Sequence, residues 1–530
     1  MKAGEHNEGA RMRFGRWALG IAVIGLLAVS APAQRRPAAP SRMQQEARAK
    51  YEQGVAQMQR GELAGAADSF RAALALQADF GEARVKLGLA LQGLGDPASA
   101  LEQFRLAVEA RPDRAEFHSA LGYALGQSGN LDGAVAEFET AVKLAPALHE
   151  AQFRLGVTRW LRGEHSPALA PLRAAVRLKP DHVESRYYLG LVLQKTGELR
   201  AAIEQLRAAA KLNPRIADVQ AALGKALLAD ADFDPAVEAL RAAIGLNPNL
   251  LAARNDLALT LIQRREADPA IAELEAILKL DSDNRAALHN LGLALMQKAD
   301  YAAAITHYRR LLALDATDAE AHYNLGLALK YKDDFAAAIA SLQRSIELRP
   351  SLSEAGYTLG VIYWQQGRLD EAIAAFRGAI AVQPAFSEAF YTLGTVLQQK
   401  GELEGAIAAF REAIRIAPRN PEIHNTLGNA LRAKGDREAA RLEFAEGARL
   451  QKLKSDNQAA MFAANTGIQR ARDGDLAAAI EMFRKAIALD PEYAPAHLQL
   501  GLALQKKGRA VEARAAFARA RTLDPRLRTP

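Results

Sequence analysis

The sequence predicts an all-α chain built from stacked helix hairpins, and three observations carry that reading. A small residue recurs at Gly54, Gly88, Gly122, Gly156, Gly190, Gly224, Ala258, Gly292, Gly326, Gly360, Gly394 and Gly428, each 34 residues from the last. Alanine and leucine dominate, while aromatic residues make up only 6% of the 530; this balance favours helices over pleated strands. Glycine and proline divide most intervals into two stretches of roughly a dozen residues, marginal as isolated helices and stable only when stacked on neighbours.

In chain order, Arg11, Arg13 and Arg16 precede the uncharged run Trp17 to Ala33, which ends in small residues at Ala31 and Ala33. The apolar core of that run, Trp17 to Val29, has 13 residues, short of the roughly 20 that a membrane-spanning helix needs. Residues 1–33 therefore read as a secretory signal peptide. Export to a periplasmic or extracellular location is the expectation, and an uncleaved N-terminal anchor in the membrane is the alternative. Residues 34–46, opening "QRRPAAPSR", read as a linker rich in Pro, Ala and Arg.

Twelve repeats in continuous register are expected over 47–454. Twelve residues after each small position stands an alanine, from Ala66 and Ala100 to Ala513 without exception, and four later usually a large apolar residue such as Phe70, Leu172, Phe376 or Phe410. Spacings of three and four place these groups on one helical face. Mid-repeat glycines (Gly61, Gly95, Gly129 and their equivalents) suit a left-handed helix end, and prolines such as Pro112, Pro146 and Pro350 close the second helix. Ala231, Arg265, Ala299 and Asp333 replace the mid-repeat glycine in four consecutive repeats, where a left-handed turn is strained for a non-glycine.

The register then slips. Gly467 and Gly501 continue the series after one interval of 39, so five extra residues, 455–459, read as an insertion or seam, with two more repeats over 460–527. Gly447 and Lys452 stand there in place of the usual alanine and proline, and a longer second helix or a loop would each account for the slip.

The leucine-glycine pair, the alanine twelve on, the aromatic four after it, the closing proline and the 34-residue period together resemble the tetratricopeptide repeat (TPR) family. The resemblance covers about nine-tenths of the chain. It implies a right-handed superhelical α-solenoid of helix-turn-helix units whose first helices line a concave groove. It also implies binding of protein or peptide partners without catalysis. If first-helix positions face the groove as they do in that family, one register reads Tyr323, Tyr357, Tyr391 and Asn425, and the next reads Asn324, Thr358, Thr392 and Thr426. Hydroxylated aromatics beside small polar groups suit an extended peptide backbone. Tyr187, Asn429, Trp160 and Trp364 extend the candidate lining. The family's chaperone-binding members clamp two carboxylates with Lys, Asn and Arg from successive repeats; only Asn425 and Asn429 resemble that set, so a chaperone C-terminal peptide is not the expected ligand.

Charge points to one alternative. The formal net charge is +7, and within 149–216 there are 12 Lys/Arg against 6 Asp/Glu. Arg154, Arg159, Arg173, Arg177, Lys195 and Arg207 are candidate contacts for an anionic polysaccharide or other polymer in an export or assembly apparatus. The glutamates that open most first helices, Glu82 to Glu422, are explained by the favourable field at a helix N-terminus. With no cysteine, thiolate metal sites, disulfides and cysteine nucleophiles are excluded. The ten histidines show no ligand spacing, and no phosphate loop or nucleophile elbow is visible. No cofactor, metal or enzymatic activity is expected, and export argues against a nucleic-acid partner.

Overall fold

The computed structural model describes residues 41–527, so the signal peptide expected at 1–33 and the first part of the expected linker lie outside the described residues. The described chain forms 27 helices and no strand, an all-α solenoid. The described residues fall into two compact halves that divide between Lys298 and Ala299.

The first half opens with the helix Arg42–Gln59, inside the segment read as linker. Ser41 caps it: its hydroxyl accepts from the Gln44 amide, and the Gln44 side chain accepts from the Ser41 amide. This reciprocal box outweighs the preceding prolines and starts the helix five residues before the repeat register. Hairpins then follow at the expected period, from Leu63–Leu76 to Arg285–Gln297.

Packing follows the sequence signature. The alanines twelve past each small position are buried, as are the large residues four further on except the half-buried Phe444; they include Phe70, Phe104 and Leu172 in the first half and Phe376, Phe410 and Phe483 in the second. A Cβ added at Gly156 would lie 2.4 Å from Leu172 Cγ, and one at Gly360 2.7 Å from the Phe376 ring. The glycine is the socket into which the second helix inserts its large residue. The inert leucine-glycine motif therefore sets how closely the two helices of a repeat approach.

Ala231, Arg265, Ala299 and Asp333 take φ of 58°, 65°, 62° and 58°. The amides that follow three of them keep the helix-end bond seen at the glycine turns: Asp232 donates to Leu227 (3.0 Å), Glu266 to Leu261 (2.9 Å) and Asp334 to Leu329 (3.0 Å), as Glu198 does to Leu193 (2.9 Å). The turn is conserved within the array, and only its occupant changes.

In the second half the seam residues 455–459 lie inside one helix, Arg437–Arg472, of 36 residues. The second helix of repeat 12 runs without interruption into the first helix of repeat 13. No proline interrupts the stretch, and the mid-helix Gly447 is buried against Asn425, whose Oδ1 would lie 2.3 Å from an added Cβ. Hairpin stacking resumes with Leu476–Leu489, Ala494–Lys506 and Ala510–Leu523.

Candidate functional site

In the second half the first helices Ala319–Tyr331, Ser353–Gln365, Ser387–Lys400 and Pro421–Lys434 bring the tyrosine and threonine registers together. Tyr323, Tyr357 and Tyr391 are half-buried and each reaches the next repeat. Tyr357 Oη lies 3.3 Å from Thr392 Oγ1 and Tyr391 Oη 3.4 Å from Thr426 Oγ1, and Thr358 stands at the same 35-residue offset from Tyr323. Burial raises the Tyr323 hydroxyl above its ordinary pKa.

The hydrogen-bond directions follow from the threonines. Thr392 Oγ1 donates to the Glu388 carbonyl at 2.8 Å and Thr426 Oγ1 to the Glu422 carbonyl at 2.9 Å. With its one proton committed, each threonine oxygen is the acceptor and the tyrosine is the donor. What the tyrosine keeps is acceptor capacity on its oxygen, matched to a backbone N–H. Ring contacts fix the aromatic positions: Tyr357 lies 5.6 Å from Phe376 and 5.1 Å from Phe386, and Tyr391 5.9 Å from Phe410.

Asn324 is buried in the same register. Asn425 and Asn429 are exposed at the far end of the row, where Arg432 donates to Asn429 Oδ1 at 3.0 Å. Trp364 Nε1 donates to Gln399 Oε1 at 2.7 Å, a second link between neighbouring repeats that sequence reading did not single out. Its 35-residue offset is the one that pairs tyrosine with threonine and, in the first half, Asn290 with Asn255 at 2.7 Å.

Tyr187 belongs to the first half. Its ring lies 5.2 Å from Tyr188, which meets Trp160 (5.5 Å) and Phe153 (6.0 Å). Phe153 also contacts His182 (5.1 Å), and His182 contacts His149 (4.6 Å). This cluster of Phe153, Tyr188 and two histidines escaped the sequence reading because its members occupy different places in their repeats. Buried His149 is held well below the ordinary histidine pKa, at about 4, first by desolvation and then by His182 and Lys179.

The six basic candidates are spread over four helices between His149 and Leu212. Arg154 pairs with Glu150 and stacks 3.9 Å from the Tyr123 centroid. Arg159 pairs with Glu139, Arg173 with Glu198 at 2.6 Å and Arg207 with Asp232 at 3.3 Å. Arg177 and Lys195 are exposed, with no ion-pair partner among the described residues. Several opening glutamates are likewise engaged, Glu82 with Arg114 at 3.2 Å and Glu320 with Arg349 at 3.7 Å. Among the described residues no group of three or more His, Asp or Glu is placed to hold a metal ion. No helix there is long and apolar enough to cross a membrane.

A family model described as "Tetratricopeptide repeat" matches residues 33–79, 85–148, 119–183, 187–250, 221–285, 323–389, 357–421 and 391–460, and a second, "TPR repeat", matches 294–332 and 470–508. The chain belongs to the tetratricopeptide repeat family. Solved structures similar to this TPR chain include YrrB, described as a TPR protein with an unusual peptide-binding site (22% identity, 36% of this chain and 97% of that one, TM-score 0.34). MamA matches at 32% identity over 31% of this chain and 95% of its own, with a TM-score of 0.29. Naa15/Naa10 bound to HypK-THB matches at 14% identity over 91% of this chain and 94% of that one, with a TM-score of 0.31. No curated protein matches the TPR chain.

Proposed function

We propose that this TPR chain is an exported, non-catalytic scaffold of the cell envelope that holds an extended peptide segment of a protein partner along the row Tyr323, Tyr357 and Tyr391. The observation that carries this reading is the direction of the tyrosine–threonine bonds: successive repeats present an oriented hydroxyl oxygen with an unused lone pair. An extended backbone laid across the repeats meets an acceptor for an N–H at each step, on rings already fixed by packing, so little entropy is lost on binding. Asn425 and Asn429 add donors and acceptors where the row ends.

Export rests on the basic, apolar and small-residue succession of residues 11–33. With four of the six basic candidates engaged by carboxylates, the geometry supports the peptide reading better than the anionic-polymer alternative.

The test is crosslinking and pull-down from the native envelope fraction with wild type and the triple variant Tyr323→Phe, Tyr357→Phe, Tyr391→Phe. Phenylalanine keeps the ring packing and removes the oxygens. A neutral hydrogen bond is worth about 1 kcal/mol, so three predict a loss in recovery of tenfold or more. Equal recovery from both proteins overturns the assignment of the site. N-terminal sequencing of the mature protein tests export independently: a start near Gln34 is expected, and an intact residue 1 in the cytoplasmic fraction overturns it.

A further inference from the structure

We infer that the exposed side of the helix Arg437–Arg472 is an interface for a second copy of this chain, packed antiparallel about a two-fold axis at residues 453 and 454. Repeats 12 and 13 share this helix, and both depart from the others where a neighbour would stack. The third residue of the first helix is buried from Ala83 to Ile423 and again at Ala496; in repeat 13 it is Phe462, 76% exposed. The seventh is a buried leucine from Leu87 to Leu427, but Thr466 in repeat 13, as it is Gln53 in repeat 1, which has no predecessor. On the second helix, the apolar position that is half-buried from Leu74 to Ile414, Ala210 included, is exposed at Ala448 in repeat 12, as Arg521 is in repeat 14. Repeat 12 is thus finished like a C-terminal repeat and repeat 13 begun like an N-terminal one. A solvent-facing end calls for a polar residue, and Phe462 is not one.

Ala445, Ala448, Lys452, Ser455, Ala459 and Phe462 are all exposed and alternate in steps of three and four along the helix, the seam spacing of two paired helices. The seam is self-complementary when reversed on itself. Phe462 then falls opposite Ala445 of the second copy, Ala459 opposite Ala448, and Ser455 opposite Lys452, so the large group meets the small one at both ends. Asp456 comes within reach of Lys452 of the second copy, twice by symmetry. A parallel pairing would instead oppose Lys452 to itself. Leu453 and Met461, also exposed, project away from this stripe. The stripe is about 27 Å long, a contact at the small end of specific interfaces, so dissociation in the micromolar range is expected.

Sedimentation velocity of the full chain from about 1 to 100 μM, a range chosen to bracket such a weak interface, tests the inference. A concentration-dependent dimer is expected, and Phe462→Asp, with an unchanged circular dichroism spectrum, is expected to return it to monomer. The chain has no cysteine, so Ala448→Cys and Ala459→Cys chains can be mixed and oxidised. In the antiparallel register unlike chains are expected to crosslink in clear excess over like ones, because two copies of residue 448 lie about 16 Å apart along the helices. A monomer at every concentration, a dimer that survives Phe462→Asp, or crosslinking of Ala448→Cys chains to themselves would each overturn it.

Discussion

Replacing Ala231, Arg265, Ala299 and Asp333 by glycine is expected to stabilise the protein, although each substitution removes atoms and adds no contact. All four are exposed and sit at φ between 58° and 65°. A left-handed conformation costs an L-residue about 1–2 kcal/mol, and the extra freedom of glycine in the unfolded chain returns about 0.5–1 kcal/mol of that. The net gain is therefore ~0.5–1 kcal/mol for Ala231, Ala299 and Arg265, and smallest for Asp333, because aspartate tolerates this region best. The sites are a full repeat apart, so the gains add to about 2–3 kcal/mol. The hydrogen bonds that close the turns at Ala231, Arg265 and Asp333 match those of the glycine turns, so no bond should be lost. Repeat arrays open locally, so the assay pairs urea unfolding followed by circular dichroism with amide exchange resolved by repeat; protection should rise across 217–352. Gly95→Ala is the mirror control: φ is 84° with nothing within 4 Å of the added methyl, so any loss reports backbone strain alone. If the glycine variants were no more stable than wild type while Gly95→Ala was destabilised, the strain reasoning would fail for these turns.

Other outcomes follow from the packing and the buried polar groups. Gly394→Ala puts a methyl 2.6 Å from the Phe410 ring and should cost about 1–3 kcal/mol by overpacking, read as a lower urea midpoint at unchanged slope. Thr392→Val removes the acceptor for Tyr357 and should cost about 1 kcal/mol without loss of helicity; a neutral result would mean that solvent satisfies the tyrosine equally well. His149 has a folded pKa depressed from 6.5 to about 4, so the unfolded chain binds the proton first as acid is added. Its contribution is fully present above pH 6.5 and is lost as pH falls toward 4, a loss of roughly 3 kcal/mol at most. His149→Gln should flatten the stability profile between those values, and an unchanged slope would assign the acid sensitivity to other groups.

Much of the fold was legible because the same packing problem is solved once per repeat. Gly156 and Leu172, or Gly360 and Phe376, meet within a single hairpin at a fixed separation, so their periodic recurrence exposes the contact. The four non-glycine turns were visible for the same reason. The tyrosine row could be aligned from the sequence, but its bonding could not: Tyr357 meets Thr392 across repeats, and the direction of the bond depends on a third group, the Glu388 carbonyl. The basic run was legible only as a charge count. Arg159 meets Glu139 and Arg207 meets Asp232, 20 and 25 residues away and both carboxylates outside 149–216, so a local count registers an excess where the folded chain has pairs. At the seam, the register break located the anomaly but left loop and helix both open; in the fold Gly447 lies inside the continuous helix, where its missing side chain admits Asn425.

The stretch from Gln451 to Ala459 has a mechanical consequence. Within the hairpins of each half, load is shared between antiparallel helices whose sockets interlock, so bending one helix must shear its partner. Over these nine residues the described side chains are exposed or only half-covered, and a single helical rod transmits all the force and torque between repeats 12 and 13. An applied load is therefore concentrated on the backbone hydrogen bonds of fewer than three helical turns. These are the bonds that tension from a tethered partner would strain first.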